Sequence, residues 1–474
     1  LAVIGVERTP DICSRSSDFA YFNTETARSI GIKDVFVPDL VNELMRQMNH
    51  RPDARILTRW ATHAGEALDW YVEPCEGFKF VANWDEAPTD DDTVFGINGD
   101  YYVGAVAPFD EHDPAKDHER VFSATLEFNP MGHAPVLRAN YDAAVASGNA
   151  SAYFDAAAQR LVVEDGRVAG VIFENLADGT HVYAKAAKGV VLATGSYSRN
   201  AELMDKYAPW VQEEIGLYVQ GYPHTDVNGI TTDQGDGLVM GVEAGAKIEP
   251  GPHAVMAHST LGGLGVGAFL QLNANGERYI NEDLTIDHFS VAVMNQPKNT
   301  IYQIFDANWR DCLPAVQAGI GTYHMVSDDK AQTIDEWTSA SGDTVEELAA
   351  NLGLFQEAAE AMAASIERYN ELCAKGADDD FGKDPMYMVP ADSAPYYACV
   401  RGSHRKSAIL SGLVCDGNHQ CLNGEMQPIR GLFAAGNASG QFFGGVDYPM
   451  NIEGLSIGRA ITSGYVCGRY VAGL

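Results

Sequence analysis

Basic residues are scarce in this chain: 32 lysines and arginines stand against 65 aspartates and glutamates, a formal charge of −33 over 474 residues. That shortage argues against nucleic acid and against an anionic membrane surface as partners, because both are held by clustered Lys and Arg. Acidity on this scale is read as a matter of solubility and habitat. The eight cysteines (Cys13, Cys75, Cys312, Cys373, Cys399, Cys415, Cys421 and Cys467) contain no C-x-x-C pair. A zinc ribbon, a ferredoxin-type cluster and a C-x-x-C-H haem site are therefore unsupported, and no metal site is assigned. Cys415 and Cys421 are close enough in sequence to face each other across a hairpin, and are read as free buried thiols. Apolar stretches are broken by Gly, Ser or charge well short of the roughly 20 residues of a membrane span, so no membrane insertion is expected.

What is present is a globular composition, 46 % hydrophobic, in a chain long enough for one large and one smaller core. Leu1 to Val6 reads as a strand. Helical periodicity follows between 40 and 75, carried by Leu40, Leu44 and Met45, then Leu57, Trp60 and Ala61, then Ala67, Leu68 and Trp70. Residues 76 to 135, rich in Asp, Gly, Pro and aromatics, read as an insertion with short strands. Alternating apolar runs separated by Glu-Asp-Gly and Ala-Asp-Gly-Thr turns predict a β-meander over 151 to 186. An amphipathic helix is expected from Val345 to Leu372.

Three stretches share one design. In GLFAAGNASGQFFGGVDYPMNIEGLSIGRA (431 to 460), Leu432 to Ala435 form a short apolar strand closed by Gly436, followed by small residues and an apolar helix. GVVLATGSYSRN (189 to 200) ends a strand in Thr194-Gly195. TTDQGDGLVMGVEAG (231 to 245) sets Gly235-Asp236-Gly237 before a small-residue helix. A glycine turn between a buried strand and a helix lets backbone N–H groups approach a ligand, and the helix start favours negative charge.

In this order and at these separations, the three stretches resemble the FAD-binding module of the fumarate reductase and succinate dehydrogenase flavoprotein superfamily. The segment 348 to 383 and the APYYACV turn at 394 to 400 extend that resemblance over nearly the whole chain. It implies an α/β fold: a Rossmann-like FAD-binding domain with a parallel sheet and a β-meander (1–245 and 394–474), interrupted by an inserted α+β capping domain (246–393). The implied cofactor is FAD, bound through Glu7 and Arg8 after the first strand, the hydroxyls of Ser14, Ser16 and Ser17, the turn Ala193, Thr194 and Gly195, Asp236, Gly436 and Asn437, and the helix start Gly454, Leu455 and Ser456. Glu7 is alternatively a surface carboxylate at a strand end, and the serines a plain polar loop. The family's G-x-G-x-x-G turn is absent. Leu1 to Val6 matches the second strand of the fold rather than the first, which predicts a further strand with a glycine-rich turn upstream of Leu1. Any export signal would also lie there, so the chain's location, cytoplasmic or cell envelope, is open.

The chemistry implied is hydride transfer between FAD and a carbon–carbon bond, with the protein supplying a proton donor and a polarising group. The family's dicarboxylate clamp does not carry over. Its proton-donating arginine falls at about Ile286, its Thr-Glu pair in the run Leu261 to Gly265, and its second arginine near Asp447. A bulky, weakly charged conjugated substrate is therefore expected in place of fumarate or succinate. Tyr448, in GGVDYP, is the candidate acid and polariser, with aromatic packing as the alternative. His253, His258, His288 and Arg401 are further candidates, each equally explained as a structural partner. Arg278 and Glu282 are read as an internal ion pair. Reduction and ketosteroid-dehydrogenase-like desaturation both remain open, as does a flavin-less binding subunit. The electron-transfer donor is unidentified, since neither a haem motif nor a nicotinamide fingerprint is visible.

Overall fold

A computed structural model describes residues 3–9, 18–29, 34–75, 79–81, 102–106, 125–129, 132–209, 225–256, 269–283, 292–311, 338–402, 408–445, 449, 452 and 454–474. The fold is mixed α/β, with parallel and antiparallel sheets. The strand Val190–Leu192 runs parallel to Pro428–Ala434, with Leu192 opposite Ala434. On its other side Pro428–Ala434 meets Arg167–Asn175 in parallel, through Arg430 and Arg167. Arg167–Asn175 is in turn the centre of the expected meander, antiparallel to both Ala156–Glu164 and His181–Lys185. Asp165 and Gly166 form the first turn with positive φ, a conformation in which Asp and Gly are tolerated.

Val3–Val6 pairs in parallel with Ala150–Tyr153 and forms a separate two-stranded sheet. Val3 and Ile4 are half exposed. Among the described residues, the second edge of Val3–Val6 and that of Val190–Leu192 have no partner strand.

The two helices expected between 40 and 75 span Val37–Gln47 and Ala54–Val72. Pro38 pre-sets the first turn of one. Asp53 caps the other by accepting from the Arg55 N–H. Ile56, Leu57, Trp60, Ala61 and Ala64 recur at helical spacing on one face, and bury it against Phe22, Phe442, Phe443, Ile452 and Leu455. The first helical pair is thereby fixed to the last part of the chain.

A second core lies under the sheet Leu270–Asn273, Thr300–Phe305, Tyr396–Gly402, Ala340–Gly342, in that order. The expected single helix over 345–372 is two, Val345–Asn351 and Gln356–Lys375. The break falls at Gly353, whose φ of 73° stops a helix that periodicity alone would continue. By its sheet partners, the strand Tyr396–Gly402 goes with residues 270–342 and not with the segment that follows it.

In this second core Arg278 is almost wholly buried, and its guanidinium meets two buried carboxylates, Glu282 at 2.8 Å and Asp378 at 2.7 Å. Lys383, fully buried, adds an ion pair to Glu282 at 3.3 Å and a hydrogen bond to the Tyr369 hydroxyl at 2.9 Å. The sequence expectation of an Arg278–Glu282 pair thus holds, within a larger network. Asp378 is held at a pKa of about 2: burial works to raise it, and is outweighed by Arg278 and by the N–H groups of Lys383 and Phe381.

Candidate functional site

Because Val190–Leu192 and Pro428–Ala434 are parallel and in register, their glycine turns lie side by side at the carboxyl ends of the strands. In open α/β sheets this is where ligands bind. The Ala435 N–H donates to the Leu192 carbonyl at 2.9 Å and joins the two turns. Gly195 and Gly436 both have positive φ, which glycine adopts without strain. Thr194 reaches the helix Asp236–Glu243: a Cβ at Gly237 would fall 2.1 Å from the Thr194 hydroxyl, so only glycine fits there. Three of the predicted cofactor-binding stretches therefore converge.

Arg8 and Asp236, predicted separately, prove to be partners. Arg8 Nη1 donates to Asp236 at 2.7 Å and its Nε to the buried Asp226 at 2.9 Å. Glu7 is exposed at the end of its strand. One carboxylate oxygen accepts from the Thr9 N–H and hydroxyl, and Oε2 has no partner among the described residues. A carboxylate with one oxygen fixed and the other open is suited to a ribose diol.

The closing helix Leu455–Gly473 has no side-chain cap and no acid in its first turn. Its first N–H groups and its partial positive charge are left for a ligand. Gly454 precedes it at φ 68°, where a Cβ would stand 2.5 Å from the Phe19 N and 2.8 Å from the Ala20 N. A side chain at Gly454 would therefore separate the helix start, with Leu455 and Ser456, from the strand Asp18–Ala20. Arg459, one turn on, is 1 % exposed. It donates to the Ser439 carbonyl at 2.5 Å and to Asn437 at 3.2 Å, and lies over the rings of Phe442 and Phe443. The guanidinium fixes the turn around Gly436 and Asn437 without an ion pair, and burial lowers its pKa to about 10. Three buried polar atoms near the same unit have no hydrogen-bond partner: Gln441 Oε1, Arg459 Nε and Thr462 Oγ1.

His253 stands just beyond the Thr194–Gly195 turn and is fully buried. Its Nε2 is 2.7 Å from the Glu249 carbonyl, which only accepts, so Nε2 carries the proton and Nδ1 accepts from the Tyr197 hydroxyl at 2.5 Å. Tyr207 stacks on the ring at 4.3 Å. Burial pushes the His253 pKa down, with the Arg51 charge acting the same way against the Glu249 carbonyl bond. In this arrangement the imidazole is neutral and neither nitrogen is open to a substrate. Glu249 is also buried; its carboxylate accepts from the Gln441 N–H at 2.8 Å, and burial raises its pKa over the opposing hydrogen bonds.

Of the remaining candidates, Ser14, Ser16, Ser17, His258, His288 and Tyr448 lie outside the described residues, as do Ile286 and Asp447. Arg401 sits in the strand Tyr396–Gly402 opposite Ile301, with its backbone alone described. Sequence reasoning passed over Tyr197, Glu249, Gln441 and Arg459 as site residues. Only Arg459 had a local signal, a charge one turn into the apolar helix 455–473; the others are assembled by pairing across 35 or more residues. Cys415 and Cys421 do face each other as a β-bridge, with sulfurs 3.9 Å apart and unbonded. No described helix is long and apolar enough to cross a membrane.

Comparison with known proteins gives this geometry its context. The family model described as "FAD binding domain" matches residues 20–448. Vinyl phenol reductase of Lactiplantibacillus plantarum is 28 % identical over 337 residues, 65 % of each chain. A probable fumarate reductase of Shewanella frigidimarina is 31 % identical over 322 residues, 65 % of this chain and 48 % of its own. The chain thus spans about half to two thirds of the length of these relatives. Among solved structures, a 3-ketosteroid-Δ4-(5α)-dehydrogenase of Rhodococcus jostii superposes with a TM-score of 0.67 at 23 % identity, over 99 % of this chain and 91 % of its own. That likeness supports the fold. With its open helix start, its Glu7 oxygen and its paired glycine turns, the site fits the ligand named by the family model, and the chain belongs to the FAD-binding domain family, with FAD as its cofactor.

Proposed function

We propose that the protein is an FAD-dependent oxidoreductase acting on a carbon–carbon double bond conjugated to an activating group in a bulky, weakly charged substrate. The observation that supports it best is the pair of curated relatives. Vinyl phenol and fumarate differ in size and charge, but both names specify reduction of an activated C=C bond, so the reaction class is shared where the substrate is not. Bound at the paired turns, FAD supplies the hydride. The chain's own residues orient and protonate. Glu7 and Arg8 with Asp236 hold the adenosine side, and the Gly454–Ser456 helix start takes the negative charge of the ligand. His253, clamped by Tyr197 and the Glu249 carbonyl, acts in this reading as a neutral strut that fixes the wall of the site. Tyr448 keeps the proton-donor role: its reference pKa of about 10 keeps it protonated at neutral pH. Ile286 and Asp447 stand where the family resemblance implies arginines, so a dicarboxylate finds one end unpaired. The supporting division is an FAD-binding part, 1–245 and 394–474, and a capping part, 246–393, with the strand Tyr396–Gly402 joined to the latter.

Oxidation of a reduced viologen dye by a panel of conjugated phenols, enones and enoates tests this. Turnover on the order of 10 per second is expected with at least one aromatic or cyclic member, and little with fumarate. Rapid turnover of fumarate alone would overturn it.

A further inference from the structure

Between the helices Val37–Gln47 and Ala54–Val72 the chain makes a turn in which Asn49 and His50 both have positive φ, 53° and 55°. Two consecutive non-glycine residues in that region are costly, and such strain persists where surrounding structure enforces it. The turn delivers Arg51. Immediately after it, the Asp53 N–H donates to the Gln441 carbonyl at 2.9 Å, which docks the turn on the 440–445 loop.

Arg51 lies along the two glycines of that loop. A Cβ at Gly444 would fall 2.6 Å from the Arg51 Cβ, and a Cβ at Gly445 would fall 2.8 Å from the guanidinium carbon and 2.1 Å from the Pro252 carbonyl oxygen. The guanidinium is thus held at the junction of the 251–253 segment and the loop that leads into Tyr448, close enough for its charge to act on His253 and Glu249. Among the described residues no carboxylate closes it. Asp53 is taken up by Arg55 and by its own helix cap. Glu249 is buried and accepts from the Gln441 N–H. Among the described residues Arg51, which is exposed, makes no ion pair, and its guanidinium makes no hydrogen bond.

An arginine left open beside a substrate-side loop is suited to bidentate recognition of a planar anion. We infer that Arg51 is a specificity-determining residue that receives a single carboxylate on the conjugated substrate. This rests on the proposed function. It supplies a cation from the interhelical turn at 49–53, in a chain whose capping and C-terminal segments carry Ile286 and Asp447 where the resemblance implies arginines. One open arginine selects a monoanion over both a dianion and a neutral analogue.

The test uses (E)-cinnamate and its neutral isostere (E)-cinnamamide as probes, titrated against the flavin-loaded protein and read as perturbation of the flavin absorbance band, with KM and kcat measured in parallel. The wild type should bind the acid better than the amide. Arg51→Met should reduce that acid-over-amide ratio ten- to hundredfold, chiefly in KM, and Arg51→Lys should restore part of it; Arg51 is exposed, so both variants should fold, and flavin content confirms it. An unchanged ratio in Arg51→Met overturns the inference alone. Failure of both probes to perturb or reoxidise the wild-type flavin, together with failure of the wider panel of conjugated compounds, removes the proposed function and this inference with it.

Discussion

Among the described residues two arginine side chains are buried, and they are buried differently. Arg278 is closed by Glu282 and Asp378 and stacked over Tyr369 and Phe381. Its charge is matched within the second core. Among the described residues Arg459 makes no ion pair; it is held by a carbonyl, an amide and two aromatic rings, the charge of the buried Glu249 acts on it from a distance, and Nε is left unsatisfied. The first arrangement is self-sufficient and makes structure. The second holds the turn at Gly436 and Asn437 by hydrogen bonds and aromatic faces without an ion pair. Charge closure thus separates a structural centre from a functional one where burial alone would not.

Breaking the closed centre should have the largest effect on stability. Arg278→Met leaves the buried Asp378 without its ion-pair partner and Glu282 with Lys383 alone, a loss of about 3–5 kcal/mol. Denaturant unfolding should show it as a fall in midpoint; a loss below about 1 kcal/mol would mean that the network is incidental. On the open side, Tyr448→Phe keeps the ring and removes a hydroxyl. It should leave the protein folded and flavin-loaded and slow reoxidation by substrate about 10²- to 10⁴-fold. An unchanged rate across the pH range would make Tyr448 a wall of the pocket.

Arg459→Met removes hydrogen bonds from a charged group but breaks no ion pair, so the expected loss is smaller, about 1.5–3 kcal/mol. It should appear together with weakened flavin retention on dialysis; full stability loss with flavin retention intact would put Arg459 on the structural side of the comparison. Acid sharpens the contrast further. Burial, aided by Arg459, lowers the His419 pKa to about 3. A folded pKa below the unfolded value near 6.5 gives stability that is complete above pH 6.5 and lost as pH falls toward 3. Asp378, at about 2, contributes about 2 kcal/mol that is complete above about pH 4 and lost only as pH falls through 2. The flavin side should therefore loosen first on acidification, seen as flavin release before loss of helical circular dichroism, and His419→Gln should flatten that slope.

The sequence disclosed these two regions unequally. The paired turns were readable because strand, glycine and helix start are local patterns, and Glu7, Thr194, Gly436 and Gly454 lie where those patterns put them. The Arg278–Glu282 pair was readable as opposite charges close together in the sequence, whereas Asp378 and Lys383 join it across about 100 residues and leave no local trace. His253 looked open from its loop context; its closure depends on Tyr197 and Tyr207, which no spacing connects to it. The helix break at Gly353 was missed because the apolar period continues through it.

The central claim is tested most directly by a single turnover. The purified, flavin-loaded protein is reduced anaerobically, mixed with a conjugated acceptor such as (E)-cinnamate, and followed at the oxidised-flavin absorbance band. The account predicts return of that band, with one saturated product formed per flavin. A flavin that stays reduced with every conjugated phenol, enone and enoate, but is promptly reoxidised by oxygen, would contradict it.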